Sequence, residues 1–404
     1  MSGAVASSLA LSGAGPTLLG VPVLFLLFGL TLAGILISHR RALQVALAGL
    51  AVMLVVRVGF THFDLAGHLG HEWAKLVNLC GLLIGFAVVA DHFETSGVPA
   101  QLPRLLPRGG AGAFTMLFLI WMLSGILDNI AAAMIGASAA ARAFNNKLQR
   151  GYLVAIVAAA NAGGAGSVLG DTTTTMIWIE GVSPLRVLPA YVGAAAALLV
   201  FGPIASWRQS RHAPLVAVDS RGERIDAGRL VVVAGTLVLV VATNLISNLV
   251  LGARAAQLPL LAGALWLGLL GGAVIRRPRL RPIAEAGKGS VFLLALVLAA
   301  SLMPVEALPP PDWRTTLALG AVSSVFDNIP LTKLALDQGG YNWAELAYSV
   351  GVGGSMLWFG SSAGVAVAGR FPEAKSAVAW LRDGWHVPLG FLFGYLVLLL
   401  VTGR

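Results

Sequence analysis

Apolar runs about as long as a bilayer is thick, roughly 20 residues of helix, recur from residue 17 almost to the C-terminus. The first three lie near 17–37, 42–58 and 75–92, and the polar segment 59–74 reads as a loop between the second and third. A fourth stretch, 112–144, is interrupted at its centre by Asp128 and Asn129. Arg104 and Arg108 precede it and the basic NNKLQR follows it, so the bias of arginine and lysine to the cytoplasmic face brings the chain back to the side it left. That predicts a re-entrant hairpin with Asp128 and Asn129 at its tip, a form tolerated at membrane depth only where protein or a wet cavity surrounds it.

The next segment, 151–181, contains NAGGAGSVLGDTTTT, too rich in Gly, Asp and Thr for an unbroken lipid-facing helix, and predicts a helix broken near 163–171. A span near 188–206 follows, then a polar stretch, 208–229, with Arg208, Arg211, Arg221, Arg224 and Arg229. The second half repeats this order: spans near 230–251, 256–274 and 289–304, a hairpin at 314–337 with Asp327 and Asn328 at its tip, a broken helix at 346–369, and a last span at 386–402.

Residues 128–130, DNI, recur at 327–329, and GGAGSVLGD from Gly163 aligns without gaps on GGSMLWFGS from Gly353. Gly170 then meets Gly360, and Asp171 meets Ser361. The chain reads as an all-α polytopic membrane protein of two repeats, 1–207 and 230–404, joined by a cytoplasmic linker at 208–229. Each repeat holds three helices, a hairpin, a broken helix and a final helix, about 11 crossings in all. An odd number of crossings per repeat inverts one half relative to the other. Inverted repeats whose discontinuous helices meet near the midplane are the architecture of secondary transporters.

Composition narrows the choice of class. The chain is 57% hydrophobic and 11% charged, which suits a bilayer rather than water. The run 17–37 lacks a basic segment before it and is followed by His39, Arg40 and Arg41, so it reads as a retained helix with residue 39 in the cytoplasm. The formal charge of +9 comes from arginines in short loops, where it sets orientation, and no nucleic-acid partner is expected. The single cysteine, Cys80, excludes an internal disulfide. No phosphate-binding glycine loop followed by Lys and Ser or Thr is present, so ATP hydrolysis on this chain is not expected and transport would draw on an ion gradient; neither an enzymatic activity nor a resident cofactor is expected.

Carboxylates deep in a membrane are costly and mark function. Asp128, Asp171 and Asp327 meet that description, and each is a candidate Na⁺ ligand. Exchange of Na⁺ for H⁺ needs such a group, which holds a hard cation when ionised and a proton after releasing it. Asn129, Asn328, Thr172, Thr173, Thr174, Ser361 and Ser362 offer neutral oxygens nearby. The competing reading is that each Asp only caps the helix that follows it. Lys333, six residues after Asp327, allows two readings: an ammonium that neutralises an empty carboxylate, or a lysine paired with Asp337 one helical turn away. His68, His71 and Glu72 in HLGHE show a helical metal spacing but lack a further placed ligand, and they read as part of a wet outer loop.

The segments SGILDNIAAAM, ANAGGAGSVLGDTTTTMIWI, SSVFDNIPLT, GVGGSMLWFGSSAGVAVAG and NLCGLLIGFAVVADHFETSGVP resemble the NhaD-type Na⁺/H⁺ antiporters of the ion transporter superfamily. The resemblance covers most of residues 75–370. It implies Na⁺ or Li⁺ exchanged for H⁺ across a bacterial-type inner membrane, and a homodimer with a scaffold and a moving transport domain. It also implies cation-binding roles for Asp128, Asn129, Asp171, Thr172, Thr173, Asp327, Asn328 and Ser361. The chain is short for that family, and Lys333 stands where a neutral residue is expected. The alternative is a sodium-coupled citrate or dicarboxylate symporter. Those carriers typically have Ser-Asn-Thr where this chain has Asp-Asn-Ile twice, and the extra carboxylates would repel a dianion.

Overall fold

The computed structural model describes residues 15–38, 41–61, 63–216 and 224–403. His39 and Arg40 of the basic flank, and Arg221 with the centre of the polar stretch, lie outside the described residues.

Regular structure is helical almost throughout. Among the described residues the exception is Thr17–Leu18, which pairs antiparallel with Val21–Pro22 across Leu19 and Gly20, with positive φ of 53° and 80°. The helix expected from residue 17 therefore starts at Val23, because a tight turn and Pro22 precede it.

The first half then runs α1 (Val23–Ile37), α2 (Ala42–Phe60), α3 (Leu65–Glu94), α4 (Gly110–Ser124), α5 (Asn129–Ala143), α6 (Arg150–Gly164), α7 (Thr172–Ile179) and α8 (Ala190–His212). The second half runs α9 (Ala227–Leu251), α10 (Leu260–Gly272), α11 (Arg281–Ser301), α12 (Trp313–Ser323), α13 (Asn328–Gln338), α14 (Trp343–Gly353), α15 (Ser362–Arg370), α16 (Ala377–Asp383) and α17 (His386–Thr402).

One boundary differs from the sequence expectation in a way that matters below. Residues 65–74 are not loop: Asp64 caps α3 by accepting from Gly67 N–H at 3.0 Å, and HLGHE forms the first turns of that helix. Among the described helices, α2, α3, α8, α9 and α11 are long and apolar enough to cross a bilayer, and α16 with α17, bent by 64°, makes a sixth if counted as one span. The chain is thus a polytopic helical membrane protein.

Contacts between elements recur in both halves. The first hairpin arm packs on the first part of the broken helix in each, α4 on α6 and α12 on α14. Each second arm crosses to the other half, α5 to α15 and α13 to α7. Backbone approach is close at matching points: a Cβ on Gly163 would lie 2.0 Å from the Trp121 carbonyl oxygen, and one on Gly353 would lie 2.3 Å from that of Gly320. Only glycine permits such packing.

Two apolar cores result. One joins α4–α6, α8, α14 and α17 through residues such as Tyr152, Phe201, Tyr348 and Phe391. The other joins α1–α3 and α9–α11, with Trp178 and Ile177 of α7 and Leu331 and Leu334 of α13 packed into it.

Candidate ion-binding site

The two breaks face each other. In the first, α6 stops at Gly164 and α7 begins after Asp171, and the intervening loop is pinned by hydroxyls from the threonine run. Thr174 Oγ1 donates to the carbonyls of Ser167 (2.5 Å) and Asp171 (2.8 Å), and Thr175 Oγ1 to those of Val168 (2.9 Å) and Asp171 (2.8 Å). These two threonines are occupied in holding the loop.

Asp171 stands at the N-cap of α7, yet its side chain makes no capping bond. The carboxylate turns instead to the hairpin tips. Asn129 Nδ2 donates to Asp171 Oδ1 at 3.1 Å and Asn328 Nδ2 to the same oxygen at 3.3 Å, so the first residues of α5 and α13 converge on one atom. Asn328 Nδ2 also donates to Thr173 Oγ1 at 2.9 Å, and Thr172 Oγ1 lies 3.5 Å from Asp171 Oδ1. Asp171 is 2% exposed, and its Oδ2 has no hydrogen-bond partner among the described residues. A buried carboxylate oxygen without a donor is costly unless a proton or a cation satisfies it.

Asn161, in the last turn of α6, was not singled out by sequence and proves central. Its Oδ1 accepts from Asn129 Nδ2 at 3.1 Å, and its Nδ2 donates to Ser355 Oγ at 2.9 Å and Ser361 Oγ at 3.0 Å. Ser361 Oγ also accepts from Gly364 N–H at 3.2 Å, capping α15. Asn129, Asn161, Asp171, Thr173, Asn328, Ser355 and Ser361 form one buried polar cluster drawn from both hairpins and both breaks.

Asp128 and Asp327 stand at the edge of this cluster. Each caps its own hairpin helix, Asp128 Oδ1 accepting from Ile130 N–H at 3.2 Å and Asp327 Oδ1 from Ile329 N–H at 3.0 Å. Asp327 Oδ2 also accepts from Ser362 Oγ at 3.1 Å, and this pair forms the polar end of a cavity of about 350 Å³ otherwise lined by apolar groups such as Leu32, Phe292, Phe326 and Phe359.

Lys333 belongs to a different group. It is 2% exposed, and its Nζ lies 2.7 Å from Asp337 Oδ1, 2.8 Å from Glu72 Oε2 and 3.8 Å from Glu180 Oε1. Lys75 closes the set, 3.2 Å from Glu72 and 2.8 Å from Glu180. The pairing with Asp337 is the one the helical spacing suggested; Glu72 is the addition, and its burial corrects the reading of HLGHE as a wet loop. His68 Nε2 lies 3.0 Å from Ser301 Oγ, and His71 is exposed.

A polytopic helical membrane protein thus carries a buried carboxylate at a helix break, approached by the first residues of two other helices, Asn129 and Asn328. No family model matches the chain. Curated relatives do. Sodium/proton antiporter 1 of Arabidopsis thaliana is 28% identical over 395 residues, covering 85% of this chain and 66% of the relative, so the chain spans a little under two thirds of that protein. Sodium/proton antiporter 2 of the same plant is 26% identical, covering 84% of this chain and 90% of the relative. The Na⁺/H⁺ antiporter NhaD of Vibrio cholerae is 25% identical, covering 82% and 79%. These matches support an NhaD-type family for the chain.

Proposed function

We propose that the protein is a secondary transporter, not an enzyme, that exchanges Na⁺ or Li⁺ for H⁺ across a bacterial-type plasma membrane. The observation that carries the reading is Asp171: a buried carboxylate held on one oxygen by Asn129 and Asn328 and, among the described residues, unpartnered on the other. Such a group suits alternate occupation by a proton and a monovalent hard cation, with Thr173 and Thr172 as neutral oxygen neighbours. The names of the relatives agree with this chemistry.

Asp327 with Ser362 serves as the stage between the apolar cavity and Asp171, and Asp128 as its counterpart in the first half. The chain consists of inverted repeats of 1–207 and 230–404 with about 11 crossings, the shorter helices supplying spans in series. What supports this is the recurrence of hairpin-to-broken-helix contacts in both halves. The core around α4–α6, α8, α14 and α17 moves with the hairpin tips, while α1–α3 and α9–α11 form the scaffold of a homodimer. Alternating access then carries the site past a fixed frame.

Reconstitution in proteoliposomes with an imposed pH gradient tests the function. Addition of Na⁺ or Li⁺ is expected to collapse the gradient while K⁺ and citrate leave it. Sodium-dependent citrate uptake without cation-driven collapse would overturn the proposal.

A further inference from the structure

The two breaks are alike in backbone and unlike in side chains. The ungapped alignment that pairs Gly163 with Gly353 and Asp171 with Ser361 also pairs Asn161 with Gly351. Packing follows the same register: a Cβ on Gly164 would lie 2.6 Å from the Gly170 carbonyl oxygen and 3.0 Å from Asp171 Cβ, and one on Gly354 would lie 2.8 Å from the Gly360 oxygen and 3.2 Å from Ser361 Cβ.

Within that frame, each residue closing a break faces the helix of the opposite half. Asp171 Oδ2 faces Gly351, on which a Cβ would lie 3.2 Å away from it. Ser361 Oγ faces Asn161, whose amide donates to it at 3.0 Å. The first arrangement joins a carboxylate oxygen without a donor to a residue with no side chain. The second joins a neutral hydroxyl to an amide that fills the space and points N–H groups at it.

We propose that the protein binds one cation per chain, at Asp171 Oδ2 against Gly351, and that the Asn161 amide occupies the equivalent position in the other half. The inference rests on the cation/proton exchange reading and adds its stoichiometry. Charge supports it. Asp171 is the one carboxylate among the residues of the buried cluster, and a single negative charge balances a single monovalent ion. Beside Ser361 the Asp327 carboxylate already accepts on both oxygens, from Ile329 N–H on Oδ1 and from Ser362 Oγ on Oδ2, and so holds no unpartnered oxygen for a second ion among the described residues. Donors support it too: Asn161 uses Nδ2 on Ser355 and Ser361 and its Oδ1 on Asn129, so none of its bonds as arranged turns an oxygen toward an ion at Ser361. Asn161 is a positioning residue, which fixes Asn129 and fills the second position. Gly351 is a specificity-determining residue, which leaves room at the first.

Equilibrium binding of radioactive ²²Na⁺ to the purified full-length protein tests this directly. The wild type is expected to bind one Na⁺ per chain. Gly351→Ala is expected to weaken binding at least about tenfold, whereas Gly369→Ala, where a Cβ meets nothing within 4 Å, keeps wild-type affinity. Should Gly351→Ala fail to fold, the double variant Asn161→Gly with Ser361→Asp recreates the Gly351–Asp171 pair in the other half and is expected to raise the count to two. Two ions bound by the wild type, unchanged affinity in a folded Gly351→Ala, or a count still at one in the folded double variant would overturn the single-site inference and leave the exchanger reading standing. No saturable binding of Na⁺ or Li⁺ by the wild type would overturn both.

Discussion

Asn328 reaches from the tip of the second hairpin to Asp171 in the first broken helix, its Nδ2 3.3 Å from the carboxylate Oδ1. The bond ties halves of the chain that are far apart in sequence, and Asn129 makes the matching bond from the first hairpin at 3.1 Å. Both donate to the same oxygen, which orients the carboxylate and leaves Oδ2 to face Gly351. On the exchange reading, these two donors would hold the carboxylate where an arriving cation meets it.

Loss of either amide is therefore expected to weaken cation binding more than turnover. A hydrogen bond to a charged group contributes about 1.5–3 kcal/mol, so Asn328→Ala or Asn129→Ala should raise the Na⁺ concentration for half-maximal exchange by roughly ten- to a hundredfold. Exchange assayed in vesicles across a Na⁺ series checks this, and an unchanged half-maximal concentration in both variants contradicts it.

If proton and cation share Asp171, as proposed, their competition fixes the sign of the pH dependence. Where the carboxylate is mostly protonated, the apparent Na⁺ affinity should rise about tenfold for each unit increase in pH, then level once the group is ionised. A half-maximal Na⁺ concentration that is flat with pH, or that rises with it, contradicts a shared site.

Lys333 is held by Glu72 and Asp337 away from water, and removing one partner of a buried ion pair costs about 3–5 kcal/mol because the remaining charge stays buried. Lys333→Met should accordingly unfold in detergent at a clearly lower temperature than the wild type. The triple variant with Glu72→Gln and Asp337→Asn should recover part of the loss, since no unpaired charge remains. Equal thermal stability of Lys333→Met and wild type would show that the cluster contributes little.

The parts legible from sequence were those where polar residues interrupt an apolar run. Asp128-Asn129, Asp327-Asn328 and the Gly-rich segment before Thr172 marked interruptions of the helices, and helices start at or beside each of them. Partners across the fold were not legible. Glu72 looked like part of a wet loop because its counter-ion, Lys333, lies 261 residues later and no local pattern announces it. Asn161 was hidden as a lone amide in an Ala-rich helix; the available signal was its alignment with Gly351, two residues before each Gly-Gly pair. The early start assigned to α1 overlooked Gly20 and Pro22, turn residues inside an apolar run. The capping role of Asp171, plausible from its position before the threonine run, is displaced by the hairpin amides, which only tertiary contact supplies.

The most direct measurement compares wild type and Asp171→Asn in proteoliposomes, following collapse of an imposed pH gradient on addition of Na⁺ or Li⁺. The variant keeps the volume and hydrogen-bonding capacity of the side chain but cannot titrate. The expected result is rapid, saturable collapse in the wild type and none above background in Asp171→Asn, with equal amounts of both proteins inserted. Collapse at the wild-type rate in Asp171→Asn would remove that carboxylate from the transport cycle and contradict the assignment of the site.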